Sequence, residues 1–137
     1  MAYRTSDQGI KLLDTHVWIW AVDRGPRLSD EYFELISENL DSLAISAVSL
    51  WEVSMLVAKN KIQLSRPLDR WFDLATAGVG LTILPLTTII ALDAYALPGT
   101  FHDDPADRMI VATARVHDCL LLTEDDKIRK YRHVRVG

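Results

Sequence analysis

The chain has 137 residues, 49% hydrophobic and 25% charged, a composition that favours one globular domain over a disordered or membrane-spanning chain. Its formal net charge of −4 means that any contact with nucleic acid must rest on a local basic patch. The single cysteine, Cys119, excludes an internal disulfide and a cysteine-based zinc site. Because no signal peptide or membrane span is visible, we expect a cytoplasmic protein without membrane contact.

Residues 1–9 are polar and predict a flexible N-terminus, followed by a single domain over residues 10–137. Continuous apolar runs predict strands at 10–13, 43–46, 81–84, 119–122 and 134–136. Amphipathic segments predict helices at 16–22, from Ser29 to Leu40, from Ser46 or Ser49 to about Asn60, and at 68–77, 87–97, 105–116 and 126–131. This alternation predicts an α/β fold of three layers, with a mostly parallel sheet of four to five strands between helices.

Several residues predict where these helices begin and end. Thr15 is a candidate N-cap for the first helix, and Asp104 is one for the helix that begins at Pro105. Gly78 is a candidate stop signal for the helix at 68–77. Asp104 is explained by capping alone, since a cap contributes about 0.5–2 kcal/mol.

Asp107 raises a conflict between charge and position. It shares a helix face with Ile110, Val111 and Ala114, at spacings of three, four and seven residues. An acid on the face that packs against the core is costly unless a positive group meets it. Asp107 could instead be an ordinary first-turn acid that complements the helix dipole, and the pattern leaves both interpretations open.

Glu52 shows the same conflict, since it lies at intervals of four from Val48 and Leu56. Here too a local explanation exists, because Ser49 to Glu52 fits the capping-box pattern. Trp18, Trp20 and Trp51 are expected in or near the core, with some available to a partner surface.

Acids also follow two of the predicted strands. Asp14 comes directly after the first strand, and Asp125 comes after a short turn that follows the strand at 119–122. Asp125 belongs to the cluster Glu124 to Asp126, which could equally be a solvated turn. The carboxyl ends of parallel strands share one edge, where sites form, so a doubly wound sheet can gather Asp14, Glu52, Asp107 and Asp125. Crowded carboxylates repel one another, and Mg²⁺ or Mn²⁺ removes that cost by binding their oxygens. Such a centre suits phosphodiester hydrolysis by a metal-activated water.

At these residues the chain resembles the PIN-domain ribonucleases, in particular the VapC toxins of toxin–antitoxin modules. The matching segments are Leu12 to Trp18, Ser46 to Glu52, His102 to Ala114 and Leu122 to Asp125, in the family's order and spacing. The resemblance implies a PIN-like fold and a Mg²⁺- or Mn²⁺-dependent endoribonuclease. It also implies a homodimer, an RNA substrate and a cognate VapB-type antitoxin as partner.

Carried over by position, the resemblance assigns Asp14, Glu52, Asp107 and Asp125 as catalytic, metal-binding acids, with Asp104 as a further metal ligand. It assigns Thr15, Ser46 and Thr123 as hydroxyl residues that orient the carboxylates. The basic residues that could hold substrate phosphates are Arg108, Lys127, Arg129 and Lys130, although a solvated basic segment explains most of them equally well.

Other functions remain open at this stage. The site chemistry needs no 2′-hydroxyl, so a DNA-directed or structure-specific nuclease fits the acids as well. A non-catalytic PIN-like module that binds protein or RNA is the alternative from another class. A haloacid-dehalogenase-type phosphatase fits less well, because its first strand should end in Asp-x-Asp and here Asp14 is followed by Thr15 and His16.

Overall fold

Four short strands form one sheet in which every neighbouring pair is parallel. The computed structural model describes residues 9–77 and 80–137. In that part of the chain the strands are β1 (Lys11–Leu13), β2 (Leu43–Ser46), β3 (Thr82–Leu84) and β4 (Leu120–Leu122). Their order across the sheet is β3-β2-β1-β4, so the predicted parallel sheet is confirmed, with four strands.

Helices follow or connect these strands. The helices of the described residues are α1 (Thr15–Asp23), α2 (Asp30–Ser37), α3 (Ala47–Ala58), α4 (Leu68–Thr76), α5 (Thr88–Ala94), α6 (Pro105–Val116) and α7 (Asp126–Arg129). None of them is long and apolar enough to cross a membrane. The flexible segment predicted for residues 1–9 lies, up to residue 8, outside the described residues, and so does the predicted stop signal Gly78.

Most of the sheet is buried on both faces, which explains why its strands are mainly apolar, whereas β3 at the edge exposes Thr82 and Ile83. Successive strand residues point to opposite sides, so Leu13 and Ile45 pack with Trp18 on one face. Leu12 packs with Ile110 of α6 on the other face. The two helix layers therefore cover β1, β2 and β4 on both faces, as the continuous apolar runs predict.

The strand order places the end of β1 at the point where the chain changes direction across the sheet. The chain runs from β1 to β2 and β3 on one side, and β4 then pairs with β1 on the other side. In open parallel sheets a crevice forms at such a reversal, outside the carboxyl ends of the strands. The backbone N–H of Asp14 donates to Leu122 O at 3.0 Å, so the loops after β1 and β4 begin side by side.

Some element boundaries differ from those predicted. The strand expected at 134–136 is reduced to an isolated bridge between Val136 and Leu121, because Leu121 is the one β4 residue that pairs with this segment. The helix expected at 87–97 ends at Ala94, and the backbone turns there before Pro98. Trp18 and Cys119 are buried as predicted, whereas Trp51, expected near the core, is 56% exposed.

Candidate metal centre at the carboxyl edge of the sheet

Asp14 is held rigidly at the end of β1. It is buried, and its Oδ1 accepts the backbone N–H of Thr15 at 2.8 Å, which makes Asp14 the N-cap of α1. Thr15, predicted as that N-cap, is instead the first helical residue, because the carboxylate of Asp14 already reaches the free N–H at the helix start. The other oxygen, Oδ2, accepts the Thr123 hydroxyl at 2.6 Å.

Thr123 connects the ends of β1 and β4. Its hydroxyl donates to Asp14 and accepts the backbone N–H of Asp125 at 3.0 Å. Asp125 in turn caps α7, since its Oδ1 accepts the N–H groups of Lys127 and Ile128 at 2.8 and 3.1 Å. One buried hydroxyl therefore links the carboxylate after β1 to the backbone after β4.

Glu52 lies in the second turn of α3, because the helix already begins at Ala47. The capping box predicted between Ser49 and Glu52 does not form. Ser46 is the N-cap, with its Oγ accepting Val48 N–H at 3.1 Å, and the Ser49 hydroxyl pairs with that of Thr15 at 2.8 Å. Freed from a local role, Glu52 has a buried Oε1 that meets no hydrogen-bond partner among the described residues.

Asp104 and Asp107 enter the site from the start of α6. Asp104 is exposed and caps this helix as predicted, with its Oδ1 accepting Asp107 N–H at 3.0 Å. The side chain of Asp107 is only 18% exposed, and its Oδ2 lies 3.1 Å from His102 Nε2. The orientation of this pair does not make a hydrogen bond, so the ring contacts the carboxylate without satisfying it.

The pKa values indicate that these acids share one electrostatic environment. Burial, ahead of the charges of nearby acids, raises the pKa of Asp107 from 3.8 to about 8. In decreasing order, the contributing acids are Asp14, Asp104, Asp125 and Glu52. Burial also raises the pKa of Asp14, against the opposing hydrogen bonds from Thr123 and Thr15.

Glu52 belongs to the same environment. The pKa of Glu52 is raised, mainly by burial and further by the charges of Asp14 and Asp104. A hydrogen bond with Thr15 and the charge of His16 oppose this increase. The acids predicted from separate segments of the sequence therefore act on one another through space. Each would titrate at a lower pH if a positive charge lay among them.

The donor set fits a hard divalent cation. In residues 9–77 and 80–137, no three His, Cys, Asp or Glu side chains converge closely enough to form a complete ligand cage. Mg²⁺ does not need one, because it is usually held by one or two carboxylates and keeps several waters. The unpartnered Glu52 Oε1 and the strongly raised pKa of Asp107 mark oxygens that a cation would stabilise.

The predicted substrate-binding residues fall into two groups. Arg108 donates to the carbonyl oxygens of Ala94, Phe101 and His102, and so holds the loop before α6 against the end of α5. Arg129 donates to Thr123 O and to the Tyr32 hydroxyl. Lys127 and Lys130 are exposed on and after α7, where they can meet a ligand from solvent.

Two residues near the site were not predicted from the sequence. Ser49 was assigned to a capping box, and its contact with Thr15 depends on how α3 packs against α1. Tyr32 was assigned to the apolar side of α2, but its hydroxyl lies 3.0 Å from Thr123 O and accepts the N–H of Thr123 at 3.2 Å. The only available signal was a tyrosine on an apolar stripe, where a buried hydroxyl needs a partner.

The fold and the acidic cluster together define an α/β domain with buried, interacting acids at the carboxyl edge of a parallel sheet. Residues 11–134 match the model of the PIN domain. The chain is 39% identical over 124 residues to ribonuclease VapC22 of Mycobacterium tuberculosis (strain ATCC 25618 / H37Rv), covering 90% of this chain and 93% of that protein. The chain therefore belongs to the PIN-domain family, within which it is related to the VapC ribonucleases.

Solved structures share the fold at lower identity. The VapBC2 complex of Rickettsia felis, bound to a DNA fragment from its promoter, superposes with a TM-score of 0.69 at 18% identity, covering 93% of this chain and 97% of that one. VapC20 of Mycobacterium tuberculosis, a toxin that cleaves the sarcin–ricin loop, superposes with a TM-score of 0.63 at 14% identity, covering 91% and 98%. The resemblance noted in the sequence therefore extends to the tertiary structure.

Proposed function

We propose that this chain is a Mg²⁺- or Mn²⁺-dependent endoribonuclease and acts in the cytoplasm as the toxin of a type II toxin–antitoxin module. The main support for this proposal is the group of mutually repelling acids at the carboxyl edge of the sheet, where the pKa of Asp107 is raised to about 8. Its relationship to a ribonuclease across most of both chains supports RNA as the substrate.

In this proposal Asp14, Glu52, Asp107 and Asp125 hold the cation, with Asp104 at the exposed margin. When bound, the cation neutralises the phosphodiester and acidifies a water. Thr123 donates to Oδ2 of Asp14, which orients this carboxylate and favours its ionised form against the opposing effect of burial. Thr15 contributes its backbone N–H to Asp14 and its hydroxyl to Ser49, while Ser46 determines where α3 begins.

The activity is tested by incubating the purified protein with total bacterial RNA and with a labelled single-stranded DNA. We expect discrete RNA fragments in Mg²⁺ or Mn²⁺, no cleavage in EDTA, and intact DNA. Cleavage of both polymers would indicate a nuclease of broader substrate range. No cleavage, combined with no Mn²⁺ binding in calorimetry, would favour the non-catalytic module.

A cognate VapB-type antitoxin is the partner that this function requires, since an uninhibited ribonuclease toxin would arrest its own cell. Supporting this, the related VapBC2 structure of Rickettsia felis contains such a complex. Expression of the chain alone should therefore slow growth, and co-expression with its cognate antitoxin should restore it.

We further propose that the protein is a homodimer, joined through an apolar surface that includes α5. Ile89, Leu92 and Tyr95 are 65%, 69% and 63% exposed there, and Trp51 of α3 is 56% exposed. A cavity of about 290 Å³ lies between α3, α6 and the loop before α5, and Trp51 forms part of its wall. A monomer rarely leaves such a patch in water, and a second copy of the surface would cover it.

Replacing Leu92 by glutamate is expected to convert the dimer into a monomer, because a buried unpaired charge costs several kcal/mol at an interface. Light scattering after size-exclusion chromatography measures the mass, for which one chain contributes 15.5 kDa. Phe33→Glu is the matched control, since Phe33 is 51% exposed on α2, and it should leave the dimer intact. A wild-type monomer, or a dimer that survives Leu92→Glu, would contradict this assignment.

A further inference from the structure

A cavity of about 450 Å³ lies next to the acidic site, between the loop before α6 and the segment that follows α7. Its walls include Phe101 and His102 on one side and Tyr131 and His133 on the other. The volume falls within the range of small-ligand sites, and is sufficient for one nucleotide. His102 also lies 3.1 Å from Asp107, so the cavity opens beside the acids and not at a remote surface.

Four aromatic rings form a continuous row along this cavity. The ring centroids of His102 and Phe101 are 4.5 Å apart, those of Phe101 and Tyr131 are 4.8 Å apart, and those of Tyr131 and His133 are 5.4 Å apart. Tyr131 is buried and anchored to Pro98 O, whereas Phe101 and His102 are half-buried and His133 is exposed. The row therefore begins beside Asp107, passes the buried ring of Tyr131 and ends at the exposed ring of His133.

Three cations line the same cavity: Lys127, Lys130 and Arg132. All are exposed, and they form a positive rim on a chain whose net charge is −4. Such a concentration of positive charge attracts phosphates locally, whatever the sign of the global field. Lys127 lies two residues after Asp125 and donates its backbone N–H to that carboxylate, so the positive rim begins where the acidic site ends.

Alternating rings and cations match the chemistry of an unpaired RNA strand. Bases of single-stranded nucleic acids stack on aromatic side chains, while lysine and arginine contact the phosphates between them. A duplex would keep its base faces stacked inside the helix and could offer only phosphates to this cavity. The positions of the rings therefore favour a single-stranded substrate over a paired one.

We propose that this cavity is a nucleotide subsite that holds an unpaired RNA nucleotide beside the scissile phosphate, with its base on the aromatic row and its phosphate on the Lys127, Lys130 and Arg132 rim. The inference rests on the proposed function, which it extends by assigning the cavity and the residues that hold the nucleotide next to the acids. The subsite would position the RNA strand next to the acids, and the acids would take part in cleavage of the phosphodiester.

The test measures RNA binding separately from cleavage. The probe is a fluorescein-labelled single-stranded RNA of ten nucleotides, and its anisotropy is followed in EDTA. The Lys127→Ala, Lys130→Ala double variant should bind about tenfold more weakly, and its salt dependence should flatten by about 1.4 in log–log slope, the value for two lost phosphate contacts. The matched control is the Lys59→Ala, Lys61→Ala double variant, which removes the same charge beyond the far end of α3.

A second comparison tests the base-stacking part. His133→Ala should weaken binding of the RNA several-fold, but should not change binding of an abasic oligonucleotide of equal length. His117→Ala, an exposed histidine at the opposite end of α6, is the control. Melting temperatures of all variants confirm that they are folded.

The outcomes separate the two proposals. The proposed subsite is contradicted if replacing either lysine pair weakens RNA binding equally. It is also contradicted if His133→Ala weakens binding of the abasic and the normal strand alike. Both conclusions hold even when the wild type cleaves RNA. If the wild type binds RNA with the expected pattern but cleaves nothing in Mg²⁺ or Mn²⁺, the subsite stands and the proposed activity fails.

Discussion

Replacing Asp107 by asparagine is expected to reduce cleavage of RNA in Mg²⁺ or Mn²⁺ by at least ~100-fold, the loss typical when support for a metal ion or its charge is removed. The same change should make the protein more stable without metal. Asp107 has a pKa of about 8 because it is buried among other acids, so its ionised form is costly in the folded state. Asparagine has the same shape and carries no charge.

Both effects are measured on the same purified variant, by RNA cleavage in Mn²⁺ and by urea unfolding in EDTA at pH 8. We expect a gain in the free energy of unfolding of roughly 1–3 kcal/mol, with the α6 N-cap at Asp104 preserved. Asp103→Asn is the matched control, because Asp103 is an exposed acid of the same loop. An Asp107→Asn variant as active as the wild type would overturn the assignment of the metal centre.

The stability of the metal-free protein is expected to fall by roughly 2–4 kcal/mol between pH 5 and pH 8. The upper value corresponds to one proton held over three pH units, and the lower one allows for solvent screening of a partly exposed carboxylate. The pKa of Asp107 is about 8 in the folded protein and near its ordinary value of 3.8 when unfolded. Between these values the folded state holds a proton that the unfolded state has released. Unfolding therefore releases a proton throughout this window, and raising the pH favours unfolding. The raised pKa values of Asp14 and Glu52 act in the same direction.

Urea titrations at several pH values in EDTA measure this slope, and Mn²⁺ should abolish most of it. A cation that binds only the folded state adds stability by mass action, and it displaces the proton from the carboxylate that binds it. In Asp107→Asn the slope should be smaller and the effect of Mn²⁺ weaker. If the stability of the wild type in EDTA rises from pH 5 to pH 8, the pKa of Asp107 is not raised in the folded protein.

The strands of the sheet were predictable because each is a short apolar run that can be recognised without knowing which distant residues it meets. β2 lies where it was predicted, and both buried faces follow from the lack of polar alternation in segments such as Leu120 to Leu122. Helix starts were predictable where a side chain acts locally, as at Ser29 and Asp104, whose oxygens accept N–H groups three residues ahead. Caps of this kind can be predicted because they depend only on residues that are close in the sequence.

The sequence left two local interpretations open at the start of α3, and distant packing decided between them. Ser49 and Glu52 fit a capping box, but α3 begins three residues earlier, and the Ser49 hydroxyl pairs with Thr15, 34 residues away in sequence. The exposure of Trp51 has a similar cause, since a tryptophan on a helix stripe does not reveal whether that stripe meets the core or a partner.

The sequence by itself determined that an acid follows β1, that others lie at the end of β4 and on two helices, and that charge on apolar faces needs compensation. Only the tertiary structure decided which acids share an environment, because the strand order β3-β2-β1-β4 brings together residues that are far apart in the chain. It also decided that the Thr123 hydroxyl joins Asp14 to the Asp125 backbone, a contact across 109 residues that no local pattern encodes. Burial and mutual repulsion depend on how distant segments pack together, and they raise the pKa values of Asp14, Glu52 and Asp107.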